Sequence, residues 1–307
     1  MKTKSFFLIA AMSCVSLWGC SNDNEPEITA INSAILNVEV EQLQNEDMTR
    51  AAYLPVGNKL YWLNGDGIQV YDNILTTYDN YTFDPAKKRF ISDGTNTNID
   101  GDITYALSPS SIVDYAGWTS KGNRAVINLP STIVYDESME TNVDGQILYA
   151  SKLPMWGTAT GTFGNVMVNL KYLCAVMKLK VTKSKATFVK IASATKTLSG
   201  GVEAVISKNG VTEQEPTIKK GTGALGAKNY VLLDLRQMPS AEGYVYVPII
   251  PDTYDDLKVL YTTLDIPVGT TMTDAQIADA DEMIWSPVKV YPSGKQFKRN
   301  IAYFVGI

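Results

Sequence analysis

Apolar and polar residues alternate in short stretches along most of this chain, and such alternation is typical of β-strands. From Lys59 onward, the stretches are rich in β-branched and aromatic residues and are separated by Gly, Asn, Asp and Pro. These turn residues recur at the spacing of about 8–12 residues that is typical of β-sandwiches. We therefore predict an all-β fold. A Lys-, Ser- and Thr-rich patch after Lys183 predicts a boundary between two domains, 51–184 and 185–307.

The longest strand-like stretch, 166–182, changes phase in its middle. Its apolar residues first occupy even positions, from Val166 to Tyr172, and then odd positions, from Leu173 to Val181. Because a shift of one residue exchanges the two faces of a strand, a break or a bulge is expected between Tyr172 and Cys174. Cys174 itself is predicted to be a small core residue, since its neighbours offer no cation that would activate a thiol.

Two local motifs predict how particular elements begin or end. Thr273 and Gln276 have the spacing of a capping box, which predicts one or two turns of helix after them. Asn209-Gly210 predicts a two-residue hairpin turn between strands at 203–207 and 211–213, because both residues tolerate a positive φ.

The first strand-like segment is followed by a polar stretch and a single arginine. Leu36, Val38 and Val40 alternate with polar residues, which predicts a half-buried strand. A polar stretch of the kind that proteases cut follows at 44–49. Arg50-Ala51 comes next, and Arg50 is the only basic residue between Cys20 and Lys59. The sequence therefore offers a protease one cut, between Arg50 and Ala51; alternatively, Arg50 is an ordinary surface residue of a linker.

The last seven residues have a similar alternation. Apolar side chains are expected on one face of this strand, from Ile301, Tyr303, Val305 and Ile307. Such a strand could be donated to the open sheet edge of another molecule, where main-chain hydrogen bonds supply affinity and alternate side chains fill pockets. Alternatively, it completes the C-terminal sheet of its own chain.

The N-terminus has the organisation of a secretion signal. Lys2 and Lys4 precede an apolar run at 6–17, which is shorter than the roughly 20 residues that span a bilayer. Leu17-Trp18-Gly19-Cys20 resembles a bacterial lipobox, so 1–19 is predicted to be a lipoprotein signal peptide and Cys20 the acylated residue. Residues 20–50 would then form a lipid-anchored tether that includes the strand at 36–40. The alternative is an ordinary cleavage site, but the small-residue pattern of such a site is missing.

Composition excludes several classes of function. The 307 residues are 45% hydrophobic, so the chain is expected to bury a large core. There is no histidine, which excludes Ser-His-Asp, Cys-His and zinc-histidine chemistry. The chain carries a net charge of −5, and loss of Lys2 and Lys4 with the signal peptide makes it more negative. Nucleic acid is therefore not expected as a partner.

No intact catalytic, metal-binding or phosphate-binding motif is found in the sequence. The adjacent carboxylates Asp255 and Asp256 would point to opposite faces of a strand and could not act on one substrate. We therefore expect no enzyme activity, no metal site and no cofactor.

The body of the chain resembles the fimbrillin family of Bacteroidales surface lipoproteins, the subunits of type V pili. The resemblance rests on four short sequence segments, together with the lipobox and the strand-rich body. They lie at 62–71 (WLNGDGIQVY), 105–109 (YALSP), 148–150 (LYA) and 172–181. Near the C-terminus, 244–248 (YVYVP) and 257–263 are similar to the second domain of that family.

The resemblance implies two tandem transthyretin-like β-sandwich domains and a structural role. It implies export as a lipoprotein to the outer membrane and the cell surface, followed by removal of the N-terminal strand by an arginine-specific protease. The vacated groove would accept a strand from another subunit of a homo- or heteropolymeric fimbria. The partners expected on this basis are other pilus subunits, the protease and the outer membrane.

A surface glycan-binding lipoprotein is the alternative function. In that case, exposed aromatic side chains such as Trp118, Trp156 and Trp285 would form platforms on which sugars stack.

Overall fold

Strands make up nearly all regular structure of this protein, as the alternation predicts. The computed structural model describes residues 35–41, 43–46, 62–72, 78–92, 103–119, 122–135, 146–147, 153–162, 165–182, 184–206, 217–220, 226–238, 242–278 and 284–307. The strands are β1 (Ile35–Val40), β2 (Gln44–Asn45), β3 (Gly67–Asp72), β4 (Tyr78–Asp84), β5 (Arg89–Ser92), β6 (Ile103–Ser108), β7 (Val113–Thr119), β8 (Gly122–Leu129), β9 (Thr132–Val134), β10 (Gln146–Ile147), β11 (Met155–Thr162), β12 (Asn165–Tyr172), β13 (Ala175–Thr182), β14 (Phe188–Ala192), β15 (Gly200–Ile206), β16 (Thr217–Lys220), β17 (Tyr230–Asp234), β18 (Glu242–Ile249), β19 (Asp252–Tyr254), β20 (Lys258–Thr262), β21 (Ser286–Val290), β22 (Lys295–Phe297) and β23 (Ile301–Gly306). A 3₁₀ turn at Ser110–Ile112 and the helix α1 (Asp274–Ala278) complete the described elements. The all-β class is confirmed.

Seven of the described strands close into a barrel, in the order β1-β12-β11-β6-β3-β4-β5. Its interior is mostly apolar, and Ile68, Val70, Val166 and Val168 are fully buried there. Strand β1 runs parallel to β12 and makes a short antiparallel contact with β5. The first described strand therefore closes the barrel by joining two strands from distant parts of the chain.

Two further sheets form a sandwich, β10-β18-β13-β23-β2 facing β21-β20-β14-β17-β9. The central strand β13 directs Met177 and Leu179 into the core between these sheets, and Val176 into the barrel-side core. The predicted break between Tyr172 and Cys174 is confirmed, because β12 ends at Tyr172 and β13 begins at Ala175. Cys174 is fully buried, as predicted.

A fourth sheet, β16-β15-β8-β7, packs against the outside of the barrel through a separate apolar cluster that includes Leu107, Trp156 and Ile127. Its strand β15 covers most of the first strand predicted for the hairpin and pairs with β16, Val205 lying opposite Thr217. The predicted turn at Asn209-Gly210 and the predicted second strand at 211–213 are not among the described residues, so that hairpin stays a prediction. Residues 207–216 lie outside the described part of the chain.

The sheets join strands from both sides of the predicted boundary at 184/185. Strand β8 pairs with β15, β9 with β17, and β13 with both β18 and β23. Ser33–Ile307 forms one compact unit. The predicted boundary is therefore not a division between sheets, and separate folding of 51–184 and 185–307 stays a prediction. Within the described residues, no helix is both long and apolar enough to cross a bilayer.

Candidate functional site

The segment predicted to be a removable strand forms one wall of the barrel. Leu36 in β1 is 3% exposed and packs in the barrel core, and Val38 and Val40 pack against that core while half-buried. Asn37 and Glu39, on the opposite face, are exposed. Period-2 alternation thus places the apolar side chains inward, as expected. Removal of the strand stays a prediction.

Main-chain pairing fixes β1 in register with β12. All six residues of β1 pair with β12, from Ile35 opposite Asn165 to Val40 opposite Leu170. Of the described residues of β1, two also pair with β5: Ile35 and Leu36. The groove that β1 occupies is therefore bounded by one long strand edge and one short strand edge.

The chain continues from β1 into a second sheet. Leu43 is buried at 2% exposure, and β2 then pairs in parallel with the start of β23. Main-chain hydrogen bonds continue beyond β1: the N–H of Glu41 donates to the carbonyl of Leu170 at 2.9 Å, and the N–H of Gln44 donates to the carbonyl of Asn300 at 3.0 Å. We call the described residues between 35 and 46 the strap, because they bind the barrel and the C-terminal strand at once.

Two ion pairs fasten the strap to the segment just before β23. The carboxylate of Glu41 accepts a hydrogen bond from Arg299 Nη1 at 2.7 Å, and the two side chains are 19% and 14% exposed. The same Nη1 donates to the carbonyl oxygen of Tyr172 at 3.1 Å, and the Tyr172 N–H donates to the Glu41 carboxylate. Glu46 pairs with Lys295 at a more exposed position. The first pair is expected to contribute more to stability, because exposed ion pairs are screened by solvent.

Burial keeps the groups beneath the strap neutral. It raises the pKa of the Tyr172 hydroxyl well above its usual range, and the nearby Cys174 and Glu41 raise it further. Burial likewise raises the pKa of the Cys174 thiol. Neither group is therefore poised to act as a nucleophile or a base near neutral pH.

A cleft of about 770 Å³ lies beside the strap. Glu41 and Gln44 of the strap line one part of it. Lys171, Asp252, Lys298 and Arg299 are the charged residues of the body that line the rest. Among the described residues, no group of three His, Cys, Asp or Glu side chains could hold a metal ion. Of the charged groups that line the cleft, the strap provides one carboxylate, Glu41, and the body provides mostly basic side chains.

The candidate donor strand is paired within its own chain. Strand β23 lies between β13 and β2, parallel to both. Tyr303 and Val305 are each 3% exposed in the sandwich core, and Ile301 and Ile307 pack against it while partly buried. The apolar face of β23 therefore packs in the core of its own chain. Donation of these residues to another subunit stays a prediction.

Three other predicted site residues, Cys20, Arg50 and Ala51, lie outside the described residues. Acylation of Cys20 and cleavage after Arg50 therefore stay predictions.

The tryptophans proposed as sugar platforms are mostly core residues. Trp156 is 6% exposed and stacks on Tyr105, with 4.9 Å between the ring centroids. Trp285 is 2% exposed, and its indole N–H donates to the carbonyl of Gln276 at 2.9 Å. The side chain of Trp118 lies outside the described residues. Trp156 and Trp285 are therefore not available to stack on a sugar.

Comparison with known proteins finds similarity at the level of structure. No protein-family model matches the chain, and no curated protein matches it. A Bacteroides ovatus structure described as a candidate cell adhesion protein is 12% identical, with a TM-score of 0.45 over 89% of this chain and 91% of the other.

Two fimbrial structures are also similar. A fimbrial protein from Bacteroides ovatus is 10% identical, with a TM-score of 0.38, over 90% of this chain and 48% of its own length. The fimbrial anchor protein Mfa2 from Porphyromonas gingivalis is 12% identical, with a TM-score of 0.29, over 87% of this chain and 99% of its own. These descriptions agree with the family that the sequence resembles. At such TM-scores, the similarities assign no function to this chain.

Proposed function

We propose that this protein is a structural subunit of a surface pilus or fimbria, assembled by strand exchange after lipoprotein export and proteolytic removal of the N-terminal strand. One observation carries the proposal. Strand β1 is the first described strand, it closes the barrel, and its inward face packs in the barrel core. A lone arginine, Arg50, follows it in the sequence. The role is structural and requires no catalysis.

Loss of β1 would create a binding site for another strand. The edge of β12 that pairs with β1, from Asn165 to Leu170, would present unpaired N–H and C=O groups from alternate residues, and such an edge readily binds an extended chain. The apolar pocket that holds Leu36 would also open, and burial of one leucine side chain there is worth about 1.5–3 kcal/mol. A strand from another subunit with the same alternation would restore both interactions.

The predicted processing sites fit this sequence of events. Acylated Cys20 would hold the exported chain in the outer membrane, because several acyl chains together anchor a protein firmly. A cut between Arg50 and Ala51 would separate the strap and its lipid from the body of the subunit. If residues 301–307 are the donor, β23 must first leave β13 in the subunit that gives it.

The test replaces Arg50 with lysine, which keeps the positive charge but removes the residue that an arginine-specific protease reads. We expect the parent protein, extracted from the cell surface, to begin at Ala51 and to run as a ladder of high-mass, denaturant-resistant species. Arg50→Lys should retain the strap and remain monomeric. Arg89→Lys, at an exposed arginine at the start of β5, is the matched control and should behave as the parent does.

Two results would contradict the proposal at different steps. A ladder formed by Arg50→Lys, with an N-terminus that still precedes residue 51, would exclude strap removal at Arg50 as a requirement. A parent protein that begins at Ala51 and yet is recovered only as a monomer would exclude polymerisation.

A further inference from the structure

The basic partners of the strap's two ion pairs restrict which strand could replace the strap. Glu41 and Glu46 are five residues apart on the strap, and each contacts a basic side chain that precedes β23. If the strap leaves, Arg299 and Lys295 lose these carboxylates. The apolar pocket of the groove is then only part of what an incoming strand must match.

The charges that remain around the cleft are mainly basic. Lys171 and Lys298 line it together with Arg299. The one acidic side chain of the body among the described lining residues is Asp252, which accepts a hydrogen bond from Lys196 at 2.8 Å. Removal of the strap therefore takes away the carboxylate of Glu41 and leaves an excess of positive charge beside the open edge of β12.

We propose that the vacated groove selects incoming strands that carry two carboxylates: one directly after the third inward apolar residue, in the place of Glu41, and another five residues later, in the place of Glu46. This inference rests on the proposed strand exchange. The occupant is an extended strand of another pilus subunit, apolar on alternate residues and acidic at its C-terminal end. Residues 301–307 of this chain have no acidic side chain, so on this inference they are not the preferred donor and the strand comes from a different segment or a different kind of subunit. Charge complementarity supports this choice, because the resident strap has this pattern and its partners belong to the body.

The Glu41 position should matter more than the Glu46 position. Arg299 is largely buried and its guanidinium already donates to the carbonyl oxygen of Tyr172, so its geometry is fixed for a carboxylate. Lys295 and Glu46 are about one-third exposed, so solvent weakens their attraction. A neutral residue in the place of Glu41 should lower the affinity of the strand for the groove about tenfold. A neutral residue in the place of Glu46 should lower it about two- to threefold.

Exchange in a nicked protein tests the inference. In the full-length chain, segment 47–50 is replaced by the site of a sequence-specific protease, and the chain is cut so that the strap stays bound as a separate piece. Fluorescent peptides with the sequence of 33–46 then compete with the resident strap, and their uptake at equilibrium is measured by anisotropy. The peptides are the parent, Glu41→Gln, Glu46→Gln and Glu39→Gln. Glu39 is the matched control, because it has the same charge on the exposed face of β1.

The parent and Glu39→Gln peptides should compete equally, and Glu41→Gln should need about tenfold more peptide for the same uptake. A body with Arg299→Glu should reverse the order and prefer a Glu41→Lys peptide over the parent peptide. Both differences should shrink at high salt. Equal uptake of the parent and Glu41→Gln peptides, with no reversal in Arg299→Glu, would overturn the carboxylate requirement while strand exchange stands.

If the resident strap dissociates too slowly, no peptide uptake would be measured. The same peptides are therefore also added to a chain whose resident strap carries Leu36→Ala. This change weakens the strap without touching either ion pair. If no peptide enters even this chain, strand exchange itself is refuted, and the inference with it.

Discussion

Truncation of Leu36 to alanine tests how firmly its buried apolar side chain holds the strap. Leu36 is 3% exposed and packs in the barrel core beside Phe90, the residue opposite it on β5. Replacement of a leucine this deeply buried by alanine costs about 2–5 kcal/mol, and we expect about 3 kcal/mol here. Val38→Ala should cost less, because Val38 is half-buried.

The stability lost in Leu36→Ala should appear first as local opening of the barrel wall. Strand β1 pairs with β12 and β5 of the barrel and with no described strand of the sandwich, so it can detach from β12 without breaking the pairing within the sandwich sheets. Amide hydrogen exchange, followed by mass spectrometry over 165–172, measures this opening. A decrease of about 3 kcal/mol in the opening free energy speeds exchange by about two orders of magnitude.

Glu39→Ala is the control, because this side chain lies on the exposed face of the same strand. It should leave exchange in β12 almost unchanged. If Leu36→Ala and Glu39→Ala speed exchange equally, the apolar face of β1 does not hold it in the groove, and the reasoning behind strand replacement fails.

Three further predictions concern other contacts of the fold. Arg299→Ala removes a largely buried partner of Glu41 and should lower the free energy of unfolding by about 2 kcal/mol in urea titrations. Gly157→Ala should cost about 2–3 kcal/mol, because its Cβ would lie 2.0 Å from a main-chain oxygen of β12. Burial, with a smaller contribution from a neighbouring carboxylate, raises the pKa of Tyr81 to about 12. Since this pKa is near 10 in an unfolded chain, the stability that the neutral Tyr81 provides is complete below pH 10 and is lost as the pH rises towards 12.

The two substitutions each have a control in the same chain, and Tyr81→Phe is the test of the third prediction. Lys87→Ala removes an exposed pair with Asp84, at 3.6 Å, and should cost at most about 0.5 kcal/mol. Gly306→Ala meets only the edge of one ring, at 4.0 Å, and should be nearly neutral. Tyr81→Phe should lessen the alkaline loss of stability seen in unfolding curves between pH 9 and 12. Equal effects of a test and its control would contradict the corresponding prediction.

Sequence patterns predict the local parts of this fold, because their physical cause is local. The phase change at Tyr172 marks the end of β12, since side chains alternate along a strand with a fixed period. Thr273 and Gln276 form the predicted capping box: the Gln276 N–H donates to Thr273 Oγ1 at 3.2 Å, and the Thr273 N–H donates to Gln276 Oε1 at 2.9 Å. The burial of Leu36 follows from alternation in the same way.

The candidate site depends on pairings that no local pattern specifies. Glu41 and Arg299 are 258 positions apart, and nothing in either neighbourhood indicates the other. The pairing of β2 with β23 likewise joins a two-residue strand to the far end of the chain. The last strand shows the same limit, because an apolar face suits the sandwich core of its own chain as well as a groove in another subunit. Alternation indicates that a strand has a partner surface but not which surface that is.

Proteolysis can make the strap replaceable without weakening any of its contacts. While the strap is covalently joined to the body, it competes for the groove at the effective concentration of a tethered segment, on the order of millimolar for a short flexible linker. A cut between Arg50 and Ala51 would leave the pairing of β1 with β12 and the contact between Glu41 and Arg299 unchanged, so the strap would not leave at once. Once the strap dissociates, however, it is diluted, whereas a strand of a neighbouring subunit on a growing pilus is held close by. Cleavage would then favour the incoming strand by lowering the local concentration of the strap. The complementarity of the groove would determine which subunits can bind in its place.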